Sequence, residues 1–300
     1  ISDLTYTTAG HKKIRLIVSD GKGCDDTAWF NLFIRENPVA KITIPTDTQC
    51  FNYHSFGFRS SNSTIITNVK RYTWDFGGAK SNTQTNVGSP SNIAYSSAGR
   101  KSISLIIEDN NGCSDTTNER IWVFENPEAV ITNTTADSLC LRGNSWTFNS
   151  SNSKSNSGLG LSSYSWTTQE TGNPVYSTSS INGIDYKSTG SKKITLIVED
   201  ANKCKDTTQS AVFVKAHPQA SFNISATDSC LRGHTFSVNG QNSAAATSKL
   251  SKFIWSLDTG SLISVGNVNS FNNLKYRTIG GRTIRLIIQD VNGCYDTSYN

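Results

Sequence analysis

A motif of 22 residues that occurs four times is the feature that most constrains the fold of this chain. The first copy reads "YTTAGHKKIRLIVSDGKGCDDT", and the copies begin at Tyr6, Tyr95, Tyr186 and Tyr276, which are 89, 91 and 90 residues apart. Self-similarity at a fixed period indicates an array of repeated units. A unit of about ninety residues is too long for a helical solenoid repeat, but it suits a small domain that folds independently.

The boundaries of the units follow from a second periodic feature. Pro38, Pro127 and Pro218 keep the same step, and each is followed two residues later by an alanine. We therefore expect the C-terminal part of one repeat at 1–37, complete repeats at 38–126 and 127–217, and a repeat lacking its last strand at 218–300. Because the chain begins and ends inside a unit, we expect it to be a segment of a longer protein.

The composition is typical of an extracellular all-β protein. Charged residues make up 17% of the chain, Ser, Thr and Asn are abundant, and Met is absent. No run of eighteen apolar residues occurs, so we expect no membrane insertion. The net charge of +5 is spread over single Lys and Arg residues without a basic run, which argues against a nucleic-acid partner.

Alternating apolar residues predict strands throughout the chain. In "RKSISLIIED", Ile103, Leu105 and Ile107 alternate with more polar positions, which is the pattern of a half-buried strand. A turn, "NNG", and a further strand-like stretch follow. About seven short strands per unit, with a tryptophan on the third, predict an immunoglobulin-like sandwich. The tryptophans that we assign to its core are Trp74, Trp166 and Trp255.

The same residues carry a family resemblance. "YTWDFGG" at Tyr72–Gly78, followed by "AYSSAG", "ISLIIEDNNGCSDT" and "WVFENPEA", resembles the PKD domain. The tryptophan motif is reduced to "SWTTQE" and "IWSLDT" in the later units, whereas Y-x-x-x-G is intact in all four. The resemblance implies an all-β fold of tandem immunoglobulin-like (PKD-type) β-sandwich domains joined end to end. In style the chain is similar to PKD arrays of Bacteroidetes surface proteins, such as the giant gliding-motility adhesins of the SprB type.

The seven cysteines are periodic and are expected to be structural. One set follows the turn of each motif copy, and the other lies between the first and second strands: Cys24, Cys113, Cys204, Cys294; Cys50, Cys140, Cys230. No CxxC spacing accompanies them, and the histidines appear scattered and unmatched between units: His11, His54, His217, His234. A regular pair in an apparently secreted chain favours disulfides over zinc.

Two pairings of these cysteines are open. Bonds within each unit are simplest, but the two cysteines of a unit are expected at opposite ends of a sandwich. A strand of about eight residues spans about 26 Å, and bridged Cα atoms must lie within about 7 Å. Bonds between neighbouring units, Cys50–Cys204 and Cys140–Cys294, avoid this difficulty. Cys24, Cys113 and Cys230 would then pair with units outside this chain.

The remaining periodic residues favour fold over chemistry. Aspartates before the turn, such as Asp109 and Asp290, are interpreted as turn ligands, with a calcium site as the alternative. The tyrosines Tyr6, Tyr95, Tyr186 and Tyr276 resemble the tyrosine corner, whose hydroxyl bonds nearby backbone. No nucleophile with a matched base and no phosphate loop is apparent, so we expect no enzymatic activity and no cofactor.

These features favour a non-catalytic segment of a long filament or adhesin stalk on a bacterial surface, serving adhesion and gliding motility. Its expected partners are neighbouring repeats of the same chain, a cell-surface anchor or motility machinery, and surface polysaccharide. The rival hypothesis is a carbohydrate-binding accessory array that grips polysaccharide. That rival requires an exposed aromatic residue at the same strand position in every unit. The aromatic pairs Trp122/Phe213 and Trp146/Phe236 are instead interpreted as core substitutions.

Overall fold

The computed structural model describes residues 4–64, 68–80, 83–170, 172, 174–256, 262–266 and 268–300. The described residues form strands, turns and loops and no helix. Two compact units are distinguished, one made of Ile1–Asn126, Asn156–Leu159 and Asn202–Cys204, the other of Pro127–Ser155, Gly160–Ala201 and Lys205–Asn300. The last three residues of "IWSLDT", 257–259, lie outside the described residues.

The first unit opens with a two-stranded antiparallel hairpin, β1 (Gly10–Ser19) and β2 (Asp25–Ile34). These two strands form a sheet of their own. As a result Leu16, which the alternation predicts to face a core, is 60% exposed.

A β-sandwich follows in the first unit. Its strands are β3 (Thr48–Cys50), β4 (Val69–Asp75), β5 (Thr83–Thr85), β6 (Gly99–Asp109) and β7 (Ser114–Phe124). They form one sheet in the order β3-β7-β6-β4-β5, in which only the β3–β7 pair is parallel. The facing layer is held by isolated bridges, including Thr43↔Arg59 and Phe56↔Ile93. Apolar side chains of both layers, such as Phe56 and Leu105, form one buried cluster between them.

The second unit contains the same arrangement with a better-formed second sheet. Its first eight strands are β8 (Thr132–Asn133), β9 (Ser138–Cys140), β10 (Trp146–Asn149), β11 (Leu161–Thr168), β12 (Val175–Tyr176), β13 (Ser180–Ile184), β14 (Gly190–Asp200) and β15 (Lys205–Lys215). A three-stranded sheet, β13-β10-β8, faces a five-stranded sheet, β12-β11-β14-β15-β9. Again only the short early strand, β9, runs parallel to its neighbour.

A third sandwich completes the second unit. Its strands are β16 (Asn223–Ile224), β17 (Phe236–Asn239), β18 (Leu250–Ser256), β19 (Leu262–Gly266), β20 (Ser270–Leu274), β21 (Arg285–Asp290) and β22 (Tyr295–Tyr299). The sheets are β16-β17-β20 and β19-β18-β21-β22. The chain therefore has the predicted fold class, a tandem series of immunoglobulin-like β-sandwiches.

Each sandwich contains a fully buried tryptophan at the same position of the repeat. Trp74, Trp166 and Trp255 lie on β4, β11 and β18 and have no exposed surface. Their indole N–H groups donate to backbone carbonyls 12 or 13 residues downstream, at distances of 2.7, 2.8 and 3.1 Å. A buried indole needs such an acceptor because its single donor has left water.

The expectation that the hydroxyl of each periodic tyrosine bonds nearby backbone, as in a tyrosine corner, is wrong. Tyr95 is buried, but its hydroxyl donates to the carbonyl of Phe76 at 2.8 Å, 19 residues upstream rather than at the nearby turn. The Tyr186 hydroxyl is buried without a partner among the described residues. Burial raises the pKa of both hydroxyls, because the phenolate would have to leave water.

Tyr6 and Tyr276 are also not the core residues that the sequence predicts, because both are only half-buried. Tyr6 precedes the hairpin that forms a sheet by itself. Tyr276 lines a cavity of about 300 Å³ next to β22, which ends at Tyr299. In the other two sandwiches the last strand continues through Val123 or Val214, and these residues are fully buried.

A cation beside each tyrosine is a feature that sequence reasoning missed. The side chain six residues after the tyrosine carries its charge over the ring, 5.0 to 5.8 Å from the centroid, in all four copies: Lys12, Lys101, Lys192, Arg282. Such pairs contribute about 0.5–1 kcal/mol at exposed sites. The signal was present in the sequence as a basic residue at one motif position.

The interpretation of the histidines as unmatched between units is wrong for two of them, because they occupy one repeated position that bonds the backbone. His54, Asn144 and His234 are 90 residues apart and make equivalent bonds. His54 accepts a hydrogen bond from the Tyr95 backbone N–H through Nε2 (2.7 Å), and its Nδ1 lies 2.6 Å from the Phe51 carbonyl. An N–H donor on one ring nitrogen and a carbonyl on the other select the neutral tautomer that is protonated at Nδ1.

Asn144 and His234 make the same pair of contacts. The Asn144 side chain accepts from the Tyr186 N–H at 2.8 Å and donates to the Leu141 carbonyl at 2.6 Å. His234 accepts from the Tyr276 N–H at 2.7 Å, and its Nδ1 lies 2.8 Å from the Leu231 carbonyl. The position therefore requires one donor and one acceptor, which both side-chain types supply.

We expect His54→Ala to reduce the free energy of unfolding by about 1–3 kcal/mol, because it leaves a buried backbone N–H without an acceptor. His54→Asn should stay within about 0.5 kcal/mol of the parent chain, since Asn144 fills this position in the next sandwich. Urea unfolding followed by tryptophan fluorescence measures both. Equal destabilisation by the two variants would contradict the proposed role.

Candidate functional site: two interlaced disulfide bonds

An aspartate-held turn positions the hairpin cysteine in three of the motif copies: Cys24, Cys113 and Cys294. Asp290 Oδ1 accepts the backbone N–H groups of Asn292 (3.0 Å) and Cys294 (2.8 Å), and the Asp290 N–H donates to the Cys294 carbonyl at 2.9 Å. Asp109 binds Cys113 in the same way, with its Oδ1 2.9 Å from the Cys113 nitrogen. The aspartates are therefore turn ligands in these copies, as the sequence predicts.

In the first copy of this turn, the hydrogen bonds lower the pKa of the aspartate. Asp20 accepts the N–H groups of Lys22 at 2.7 Å and Cys24 at 3.2 Å. These two backbone donors lower the pKa of the Asp20 carboxyl, because they stabilise its ionised form.

The residue before the cysteine adopts a left-handed backbone conformation. Gly112 and Gly293 have φ values of +83° and +84°, which suit glycine because it has no Cβ. Lys203 takes the same conformation, with φ +67°, before Cys204. The turn is therefore retained even where the glycine is not.

Two of the three early cysteines lie on short strands at the opposite end of the sheet. Cys50 ends β3 and lies opposite Phe124 in the parallel ladder, while Cys140 ends β9 opposite Lys215. Backbone bonds continue the pairing by one residue, from Phe51 N to the Phe124 carbonyl (2.7 Å) and from Leu141 N to the Lys215 carbonyl (2.8 Å). The end of the long last strand thus fixes the positions of Cys50 and Cys140.

Two disulfide bonds join these positions. Cys50 is bonded to Cys204 and Cys140 to Cys294, with Cα–Cα distances of 5.5 and 5.6 Å, and both bonds span 154 residues. These are the pairs that the hypothesis of bonds between neighbouring units names. Because Cys140 precedes Cys204 in the chain, the two covalent loops overlap, and each loop contains one end of the other bond.

The alternative bond within one sandwich is incompatible with the register. Cys50 lies opposite Phe124, whereas Cys113 precedes Ser114 at the other end of the same strand. Ten residues of β-strand separate these ends by about 33 Å, and a disulfide requires Cα atoms within about 7 Å.

Three cysteines form no disulfide within the described part of the chain: Cys24 and Cys230 are exposed, and Cys113 is half-buried. Cys113 occupies the same aspartate-held turn as the bonded Cys294. The pairing of these three with units outside the chain stays a prediction.

A second periodic aspartate ties the beginning of each sandwich to its last strand. Asp115, Asp206 and Asp296 accept the backbone N–H of Ala40, Ala129 and Ala220, each at 2.8 Å. Asp296 also forms an ion pair with Arg142 at 3.1 Å, two residues after the bonded Cys140. Since Arg142 is mostly exposed, this pair contributes at most about 1 kcal/mol.

Among the described residues, no group of three or more His, Cys, Asp or Glu side chains is arranged to hold a metal ion. The described residues also contain no helix long and apolar enough to cross a membrane.

Comparison with models of known protein families gives a match to one part of the chain. Residues 35–123 match the model of the PKD domain, a range that includes Trp74 and the motif around it. No curated protein gives a significant match to the chain.

Several solved structures of multidomain chains are also similar. They include a Ca²⁺-stabilised adhesin that helps an Antarctic bacterium bind ice (10% identity, 97% of this chain and 80% of that chain, TM-score 0.36). A structure of a 1.5-MDa bacterial ice-binding adhesin aligns at 11% identity over 88% and 97% (TM-score 0.35). Fibronectin(III)-like modules of CbhA from Clostridium thermocellum align at 14% identity over 59% and 95% (TM-score 0.31). TM-scores this low do not establish a common fold.

We expect the double variant Cys140→Ala/Cys294→Ala to be destabilised by about 2–5 kcal/mol, because the bond closes a long loop in the unfolded chain. The measurement is urea unfolding under non-reducing conditions. Cys113→Ala is the matched control, since Cys113 occupies the same turn without a bond. An unchanged transition midpoint in the double variant would contradict the expected stabilisation by this bond.

Proposed function

We propose that this chain is a non-catalytic structural segment of a long extracellular filament or adhesin stalk on a bacterial cell surface. We further propose that it consists of part of one repeat at 1–37, two full repeats at 38–126 and 127–217, and a fourth repeat at 218–300. The expectation that this repeat lacks its last strand is wrong, because β22 pairs with β21 as β7 pairs with β6, although it is only five residues long. The PKD match over 35–123 and the tandem β-sandwich fold support this proposal. The observation that carries it is the pair of overlapping disulfides.

The overlapping bonds limit how far the chain can be extended under load. A force applied to the two ends of the oxidised chain stretches residues 1–50, 140–204 and 294–300, because the disulfides bypass the rest. That route contains about 120 residues and extends to about 430 Å, compared with about 1,080 Å for all 300 residues. The oxidised chain can therefore be extended to less than half the length of the reduced chain.

The cysteines and the surface composition are consistent with an extracellular location. Disulfides form and persist in oxidising compartments such as the cell exterior. A surface rich in Ser, Thr and Asn, with 17% charged residues overall, favours solvation along a stalk and limits lateral association.

Adhesion and gliding motility are the finer part of the proposal. They rest on the resemblance of the repeated motif and its Asn-Pro joint to PKD arrays of Bacteroidetes surface proteins. In this role the chain would be carried by an anchoring or motility machinery at the cell surface.

The load-bearing role predicts the outcome of single-molecule stretching of the 300-residue chain. The oxidised chain should extend to about 430 Å, and addition of dithiothreitol should increase this to about 1,080 Å. Either single-bond variant, Cys50→Ala/Cys204→Ala or Cys140→Ala/Cys294→Ala, should reach about 530 Å, since one bypass of 154 residues remains.

Cys113→Ala serves as the control and should extend like the parent chain. Equal final lengths of the oxidised and reduced chains would contradict the load-bearing role.

A further inference from the structure

An aromatic side chain is exposed at the same strand position in three successive copies of the motif. Phe33, Trp122 and Phe213 each follow the hairpin cysteine by nine residues. Trp122 and Phe213 are 46% and 50% exposed on complete sandwiches, whereas Phe33 holds the same motif position on the hairpin that forms a sheet by itself, where both faces are exposed. The interpretation of Trp122 and Phe213 as core substitutions is therefore wrong, whereas Trp146 is fully buried as expected.

Strand geometry explains the exposure. Successive side chains of a strand point to opposite faces of the sheet. On β7 the neighbours Ile121 and Val123 are buried, and on β15 Val212 and Val214 are buried. The aromatic residue between each pair therefore faces solvent. The fold does not require an aromatic residue there, because a polar residue is equally compatible with an exposed strand position.

The surroundings of the ring are similar in the two complete sandwiches. The backbone N–H of Trp122 donates to the Asp47 carbonyl at 2.8 Å, and that of Phe213 donates to the Asp137 carbonyl at 2.9 Å. A hydroxyl residue lies beside each ring on the short early strand, Thr48 for Trp122 and Ser138 for Phe213. The same position is thus built twice with the same neighbours.

Trp122 also lines a cavity. The cavity has a volume of about 320 Å³ and lies within the first unit. The residues that line it include Trp122, Phe124, Glu125, Asn156, Leu159 and Asn202. The Trp122 and Phe124 ring centroids are 6.1 Å apart and tilted by 37°. A volume of this size is at the lower end of the range of small-molecule sites, about 300–1,000 Å³.

This lining combines two kinds of group that a neutral sugar needs. A pyranose with equatorial substituents has a flat face of C–H groups, which packs on an aromatic ring. Its hydroxyls act as donors and acceptors, and amide and carboxylate side chains can bond them in both directions. A single exposed ring is too small for a stable protein interface, which buries about 800 Å² per partner.

We propose that Phe33, Trp122 and Phe213 are the stacking platforms of one weak saccharide-binding site per repeat, and that the ligand is a neutral, β-linked polysaccharide. Repetition is part of the mechanism, because several weak sites on one chain bind a polymer far more tightly than one site does. The inference does not depend on the load-bearing role, since the three rings take no part in the disulfides.

The test is isothermal titration calorimetry of the 300-residue chain with hydroxyethylcellulose, xyloglucan and laminarin. We expect saturable binding to at least one of them that persists in 0.5 M salt, because the interaction is not ionic. Trp122→Ala should weaken that binding about tenfold. The triple variant Phe33→Ala/Trp122→Ala/Phe213→Ala should abolish it.

Two variants separate stacking from loss of structure. Trp122→Phe should retain binding within about threefold, a difference well under 1 kcal/mol, because phenylalanine occupies this position in the other copies. Ile106→Ala removes another exposed apolar side chain of the same sheet, 41% exposed, and should bind like the parent chain. Absence of binding to all three polysaccharides, or undiminished binding by the triple variant, would overturn the proposal.

Discussion

The long last strand of each of the first two sandwiches, β7 and β15, is the constraint on which the covalent arrangement depends. Its first residues follow the aspartate-held turn that positions the late cysteine, and its last residues hold the short parallel strand that carries the early cysteine. These two ends lie about 33 Å apart, so one sandwich cannot close a bond with itself. Covalent bonding between cysteines 154 residues apart follows from this separation.

The strands, the tryptophan core and the disulfide pairs could be predicted because each depends on period, alternation or reach. Ile103, Leu105 and Ile107 alternate in sequence and are fully buried in the structure. The bridge made by His54 and Asn144 could not be found in this way, because two different side chains make the same hydrogen bonds. Similarly, motif position alone does not reveal that the Tyr95 hydroxyl bonds Phe76.

The exposed aromatic residues show why strand phase is needed in addition to residue type. Trp122 and Phe213 are apolar residues in apolar stretches, which favours a core assignment. Because Ile121 and Val123 point into the core and strand side chains alternate between faces, the ring of Trp122 between them points to the outer face of the sheet. The inner face of the sheet thus holds the fold, while the outer face is available for a partner along a disulfide-linked chain.

The most direct test of the covalent arrangement is a disulfide map of the native chain, made by non-reducing proteolysis and mass spectrometry of the linked peptides. The structure predicts one linked pair containing Cys50 and Cys204 and a second containing Cys140 and Cys294. Peptides that join Cys50 to Cys113 and Cys140 to Cys204 would contradict it. Each sandwich would then be closed on itself, and the overlapping loops that resist extension would not exist.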